Sequence, residues 1–244
     1  MNELDDAAAK PRITAFVLCG GLGTRLRTVV SDRPKSMALV GRVPFLQLLL
    51  ERIRSQGLDQ IVLGTGYMAE QIEDFFRDGR DFGLRISYSR EHEPLGTGGA
   101  LKLAEPMLND PVLVLNGDSY VEWNLTAICE LFTKRDAAAL IVLQTVPDVT
   151  RYGSVTIDGD GRVTEFVEKG TRTGAGLINA GVYLLRKEIV SALPAGKAVS
   201  LEKDVFPELL AGKVYGLISD GLFIDIGIPA DLERAQTVLG PRTC

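Results

Sequence analysis

An apolar run, Ile13–Leu18, breaks on a glycine-rich turn, LCGGLGTRLRTVVSDRPK, and this junction constrains the chain more than any other stretch. The run reads as a buried strand. Gly20, Gly21 and Gly23 let the backbone turn sharply and come close to a ligand. Thr24 is placed to cap a helical turn after them. Backbone N–H groups at such a turn attract phosphate, and Arg25, Arg27, Arg33 and Lys35 follow within a few residues. Together they suit a polyphosphate; the plainer alternative is a glycine turn with solvated arginines. The P-loop pattern G-x-x-x-x-G-K-[ST] is not met, because the Lys35-Ser36 pair has no glycine placed before it. The dinucleotide pattern G-x-G-x-x-G is not met either, because Leu26 stands at its third glycine.

From here the chain alternates. Strands are expected at Ile13–Leu18, Gln60–Leu63, Leu84–Tyr88, Pro111–Leu115 and Ala138–Thr145. Helices are expected at Pro44–Gln56, Ala69–Arg77, from a Thr97 cap to about Ala104, and over Asn124–Lys134. This alternation predicts a parallel sheet with helices on both faces and a ligand site beyond the carboxyl ends of the strands. The second half is richer in strand: Gly153–Ile157 and Val163–Glu168 flank the turn Asp158-Gly159-Asp160-Gly161, and Leu177–Leu185, Val214–Ile218 and Leu222–Asp225 follow. Helices are expected near Lys187–Ala192, over Leu201–Leu210 and over Pro229–Leu239.

Asp118 and Asp225 each end an apolar strand. A carboxylate there faces the ligand edge and suits Mg²⁺, which prefers oxygen ligands; a helix cap is the alternative for Asp118. Gly96, Gly98 and Gly99, in PLGTGGA, form a second glycine turn entering a helix, read either as close approach to a nucleobase or as a tight connection.

The 244 residues are enough for one large domain, predicted over 12–240 with a flexible tail at 1–11. A net charge of −5 argues against a nucleic-acid partner. No apolar run reaches membrane-span length, and the acidic start has no signal-peptide character. Cys19, Cys129 and Cys244 show no disulfide or zinc pattern, and with His92 the only histidine a histidine metal site is excluded. The expectation is a cytoplasmic protein with free thiols.

In order, LCGGLGTRLR, RPK, PLGTGGAL, LNGDS, RYGSV, VTEFVEK, GLINAGVYLL and FIDIGIPADLERA resemble the motifs of the sugar 1-phosphate nucleotidyltransferases over nearly the whole chain. Within that family the RYGSV and GLINAGVYLL segments, with Cys19 before the double glycine, most resemble the guanylyltransferases of D-glycero-α-D-manno-heptose 1-phosphate. The resemblance implies a single Rossmann-like α/β domain, a mixed and mainly parallel sheet flanked by helices, with a β-rich sugar-binding part in the second half. It implies joining of a nucleoside monophosphate, from GTP or another NTP, to a sugar 1-phosphate. Pyrophosphate is released and the product is an NDP-sugar for bacterial surface polysaccharide. By the same resemblance Arg25 and Lys35 are catalytic. Leu18, Gly20, Gly21, Gly23, Thr24, Gly96, Gly98 and Gly99 bind nucleotide, Asn116, Gly153, Glu168, Lys169 and Asn179 bind sugar, and Asp118 and Asp225 hold Mg²⁺. It leaves room for a homo-oligomer. Ser36 and Thr28 depart from the common pattern and bear on the loop's shape. Rival readings are mannose, glucose and N-acetylmuramate 1-phosphate nucleotidyltransferases, a non-catalytic sensor that keeps the fold, and a dehydrogenase. The last lacks its third glycine and has Gly64-Thr65-Gly66 where an acidic residue would follow the second strand.

Overall fold

The computed structural model describes residues 13–167 and 169–240. The predicted tail at 1–11, and Glu168, lie outside the described residues. In chain order the elements are β1 (Thr14–Leu18), β2 (Leu39–Val40), β3 (Val43–Pro44), α1 (Phe45–Ser55), β4 (Gln60–Thr65), α2 (Ala69–Phe76), β5 (Arg85–Arg90), α3 (Gly96–Ala104), β6 (Val112–Asn116), β7 (Ser119–Val121) and α4 (Leu125–Lys134). Then come β8 (Ala139–Val146), β9 (Ser154–Ile157), β10 (Val163–Val167), β11 (Gly176–Leu185), α5 (Lys187–Ala192), α6 (Phe206–Leu209), β12 (Val214–Ser219), β13 (Phe223–Asp225) and α7 (Pro229–Val238). A π-helical turn, Leu201–Val205, precedes α6.

Among the described residues nine strands form one mixed sheet. Its first part, β5-β4-β1-β6, is parallel throughout, with Leu18 beside Gly64 on one side and Asn116 on the other. The strand β11 then runs antiparallel to β6, β8 and β9, and β12 lies parallel to β8. Side chains alternate across a strand, so the sheet feeds two cores. Ala15, Val17, Leu113 and Leu115 meet α1, α2 and α4 through Leu49, Ile53, Phe76 and Ile128. Phe16, Val112 and Val114 meet α3 and α5 through Leu101, Ala104 and Val190.

A third, smaller core carries the functional edge. Leu26, Ala38, Val40, Phe45, Ile224, Ile226 and Ala235 pack together beneath the glycine loop. Leu26 is 1% exposed; burying one such side chain stabilises by about 1.5–3 kcal/mol, so the loop is pinned at its far side. The ribbon β7–β13, which sequence periodicity does not reveal, pairs Asp225 with Ser119 and Ile224 with Tyr120. Among the described residues no helix is long and apolar enough to cross a membrane.

Candidate active site

A cleft of about 390 Å³ opens along the carboxyl ends of β1, β5 and β6. The glycine loop forms one wall. Cys19 N–H donates to Gly64 O at 2.8 Å and Gly117 N–H to Leu18 O at 2.9 Å, which ties the loop's root to both neighbouring strands. Gly23 has φ +59°, the left-handed region that glycine enters freely. Leu26 N–H closes a turn onto Gly23 O at 3.0 Å. No α-helix follows; residues 24–29 are successive turns, so the predicted helix cap at Thr24 has no helix to cap. Arg27 lies over the Tyr67 ring at 4.6 Å and donates to Leu22 O, and Arg33 pairs with Asp32. Those two arginines brace the loop, and only Arg25 and Lys35 of the basic set line the cleft.

Lys35 opens a short 3₁₀ turn, Lys35–Met37, and is 13% exposed. Its Nζ donates to Asp118 Oδ2 at 2.7 Å and stands 3.8 Å from Asp225 Oδ1. The two carboxylates come from chain segments far apart in sequence and meet because Ile226 N–H donates to Asp118 O at 3.0 Å beside the β7–β13 ribbon. Burial pushes Asp118 up, but the charge and hydrogen bond of Lys35, with the Ser119 hydroxyl, outweigh it and hold the carboxyl below its usual range. Burial and the neighbouring Asp118 charge push Asp225 the other way, above its usual range, and Lys35 offsets only part. Asp225 Oδ1 is buried and has no hydrogen-bond donor among the described residues. Two carboxylates facing one ammonium leave negative charge uncompensated, and the donors are all hard oxygens. Among the described residues no third His, Cys, Asp or Glu joins them as a metal cluster.

The opposite end of the cleft is made by Glu91, Pro94, Gly96, Thr97 and Ala100, around the start of α3. Thr97 does not cap α3; Leu95 occupies that position, and no side chain bonds the helix's first N–H groups there. The Thr97 hydroxyl accepts from Leu201 N–H and donates to Glu202, both at 2.8 Å. Glu202 also accepts from Ser200 at 2.9 Å and from Tyr183 at 3.1 Å, and Asn179 donates to the Tyr183 hydroxyl at 2.8 Å. This half-buried network clamps α3, β11 and the π-helical turn together.

A model of the nucleotidyl transferase family matches residues 14–240. The chain belongs to that family. It is 43% identical over 227 residues to the D-glycero-alpha-D-manno-heptose 1-phosphate guanylyltransferase of Aneurinibacillus thermoaerophilus, covering 92% of this chain and 97% of that one. It is 37% identical to the mannose-1-phosphate guanylyltransferase of Mycobacterium tuberculosis (strain ATCC 25618 / H37Rv), covering 95% of this chain and 66% of that one. Its fold is similar to the crystal structure of HddC from Yersinia pseudotuberculosis complexed with GMP-PN, at a TM-score of 0.82 and 39% identity, over 92% of this chain and 98% of that one.

Within this nucleotidyl transferase the cleft gathers Leu18, Gly20, Gly21, Gly23, Thr24, Arg25, Lys35, Gly96, Asn116 and Asp118. Asp225 joins through Lys35. Gly98 and Gly99 do not line it. Both donate their N–H groups to Val199 O, and a Cβ on Gly99 would stand 2.4 Å from Lys197 O. An irregular segment, residues 197–199, lies against both and leaves no room for a Cβ. Gly153, Lys169 and Asn179 also stand outside this cleft: Lys169 is exposed in the turn after β10, and Asn179 is spent on Tyr183 and Gly181 N–H. Glu91, absent from the predicted set, does line the cleft. It follows the carboxyl end of a strand as Asp118 does, and that rule alone singles it out.

Proposed function

We propose that this nucleotidyl transferase joins GMP from GTP to D-glycero-α-D-manno-heptose 1-phosphate and releases pyrophosphate. The observation that carries the reading is the match, over nearly its full length, to a named heptose 1-phosphate guanylyltransferase, in a chain that keeps Arg25, Lys35, Asp118 and Asp225 around one cleft. An oxygen of the sugar phosphate attacks the α-phosphorus and forms the new P–O bond. The bond from the α-phosphorus to the α–β bridging oxygen breaks, and pyrophosphate leaves with the electron pair. A phosphate monoester is largely dianionic near pH 7, its second pKa being about 6, so no general base is required. His92 is exposed and takes no part.

What remains is to align two anions and offset their repulsion. Lys35, held at a fixed place by Asp118, and Arg25 on the loop supply the positive charge. Asp118 and the orphaned Asp225 Oδ1 fit Mg²⁺, which takes hard oxygen donors; bound there, the ion would neutralise phosphate charge as a Lewis acid. The glycine loop binds the triphosphate through its backbone. Among the sugar candidates Asn116 is best placed, in the cleft wall with a buried Oδ1 that accepts no hydrogen bond from the described residues.

The test is pyrophosphate release from a grid of GTP, ATP, UTP and dTTP against heptose, mannose, glucose and N-acetylmuramate 1-phosphates. GTP with the heptose phosphate is expected to be fastest. Mannose 1-phosphate is the second reading, favoured by the Mycobacterium relative. It lacks only the extra exocyclic carbon and hydroxyl, and one missing methylene is typically worth 10- to 200-fold. UTP or dTTP with glucose 1-phosphate as the best pair would overturn the proposal.

A further inference from the structure

Tyr183 is 0% exposed and packs in the core beneath α3 and α5, with its ring 5.0 Å from that of Phe206. A phenylalanine would fill the same space; a tyrosine must also satisfy a buried hydroxyl. Its proton goes to Glu202 Oε1 at 3.1 Å. A carboxylate only accepts, and Glu202 takes the Thr97 and Ser200 hydroxyls on its other oxygen, at 2.8 and 2.9 Å. With its proton committed, the Tyr183 oxygen has only lone pairs left to offer. Asn179 Nδ2 donates to it at 2.8 Å. Burial and the Glu202 charge push the phenol well above its usual range, and the Asn179 and Asn116 amides, donating toward it, pull the other way.

The backbone is shaped to bring Asn116 to this place. On β11 the four steps from Asn179 to Tyr183 oppose only two on β8, from Leu143 to Ile141. The surplus is a bulge, and bulges commonly re-aim side chains beside active sites. Asn179 braces it, its Oδ1 accepting Gly181 N–H at 2.9 Å. Gly181 has φ +78°, and a Cβ on it would stand 2.7 Å from Asn116 Nδ2. Asn116 thus lies in a seat that a glycine leaves open, with its nitrogen toward β11. Its Oδ1 accepts no hydrogen bond from the described residues. An amide has a donor end and an acceptor end, and the lone pairs of Tyr183 draw the donor end inward.

We infer that Tyr183, held by Glu202, is a positioning residue for the acceptor substrate: it fixes the Asn116 amide nitrogen-inward, so that the oxygen is left to accept a sugar hydroxyl. The inference rests on the reading above that Asn116 meets the sugar, and it adds what decides the polarity of that contact. The order of donors runs from the sugar-side amide through Tyr183 to Glu202, so a change at Glu202 is felt at Asn116 without touching it.

The experiment measures KM and kcat for D-glycero-α-D-manno-heptose 1-phosphate and its mono-deoxy analogues at saturating GTP. The proteins are wild type, Tyr183→Phe, Asn116→Ala and the double variant. In wild type one deoxy analogue is expected to lose about 3- to 10-fold in kcat/KM, the worth of one hydrogen bond. Tyr183→Phe keeps the ring and its packing. It is expected to raise KM for the heptose phosphate about 3- to 10-fold and to shrink that analogue's penalty to within about twofold, with KM for GTP changed less than about twofold. In the Asn116→Ala background the same change should add less than about twofold, because nothing is left for Tyr183 to act through. A merely structural role would lower the urea midpoint and leave KM and the deoxy penalty at their wild-type values. That result overturns the inference, as do losses that multiply in the double variant. Glu202→Gln serves where Tyr183→Phe does not fold. Its amide can donate to the Tyr183 oxygen, which frees the phenol proton to face Asn116 and lets that amide turn over. The same flattening is expected, and a deoxy penalty kept in full overturns the inference. An unchanged KM for the heptose phosphate in Asn116→Ala removes the sugar from Asn116 and the inference with it. A raised KM in Asn116→Ala beside an unchanged one in Tyr183→Phe overturns the inference alone. If wild type prefers another sugar 1-phosphate, the proposed function falls, and the deoxy analogues of that sugar decide the inference by the same outcomes.

Discussion

At one end of the cleft Lys35, Asp118 and Asp225 answer one another within 4 Å contacts, and the ribbon β7–β13 fixes two of them by backbone pairing. At the other end Glu91 sits among glycines, and what holds the wall is hydrogen bonding between α3 and the 197–202 segment. The first end is rigid in charge, the second in shape. Preorganised charge lowers a barrier only where charge moves during the reaction. A wall held by shape instead bears on which ligands fit. If the charged end serves rate and the shaped end serves fit, the two should respond to substitution separately.

The largest effect is expected for Lys35→Ala. Removing one preorganised electrostatic contact typically costs 10²–10³ in turnover. The circular dichroism of the variant should match wild type, and the GTP-to-UTP preference should be little changed. Turnover close to wild type would remove Lys35 from the reaction. Next come Asp118→Asn and Asp225→Asn. Each should lower kcat by about 10²-fold or more, and the double variant should lie within about threefold of the worse single one, because groups acting as a unit are strongly non-additive. Losses that multiply would mean that the two carboxylates serve separate tasks.

The remaining two predictions set glycine against glycine. Gly99→Ala forces a Cβ to 2.4 Å from Lys197 O, which is backbone and cannot swing away. Overpacking of this kind typically costs about 1–3 kcal/mol, read from urea unfolding. A variant as stable as wild type would return Gly99 to the list of ligand-contacting positions. Gly21 faces open space, with nothing within 4 Å of a Cβ and no left-handed φ. Stability should therefore change by less than about 0.5 kcal/mol on Gly21→Ala, while KM for GTP rises severalfold. An unchanged KM would take the Gly21 backbone out of nucleotide contact.

The sequence made most of the sheet legible because β1, β4, β6, β8 and β11 are buried apolar runs, and such runs announce themselves. Strand order was not legible. Nothing in GLINAGVYLL says that β11 lies between β6 and β8 and runs against both. A strand was expected at Leu222–Asp225, but its partner SYV is too short to show a period, so the ribbon that unites Asp118 with Asp225 went unread although both aspartates were picked. At the site, charge was easier to read than glycine. Arg25, Lys35 and Asp118 line the cleft as expected, and Asp225 reaches it through Lys35. A glycine has the same letter whether it faces open space, as Gly21 does, a side chain, as Gly20 and Gly66 do, or packed backbone, as Gly98 and Gly99 do. Thr97 was misread for a related reason: a capping hydroxyl and one committed to a distant Leu201 N–H look alike until the chain is folded.

The pairing of Asp225 with Ser119 also orders events during synthesis. A nascent chain that has reached Val121 contains the residues of β1, β4, β5 and β6, the glycine loop, Lys35 and Asp118. It lacks Asp225, the Ile224, Ile226 and Ala235 side chains that pack with Leu26 beneath the loop, and the 197–202 segment that holds α3. About a hundred more residues must leave the ribosome before Phe223–Asp225 can zip onto β7. Both ends of the cleft therefore wait for the last part of the chain, one for Asp225 and the other for the segment that holds α3.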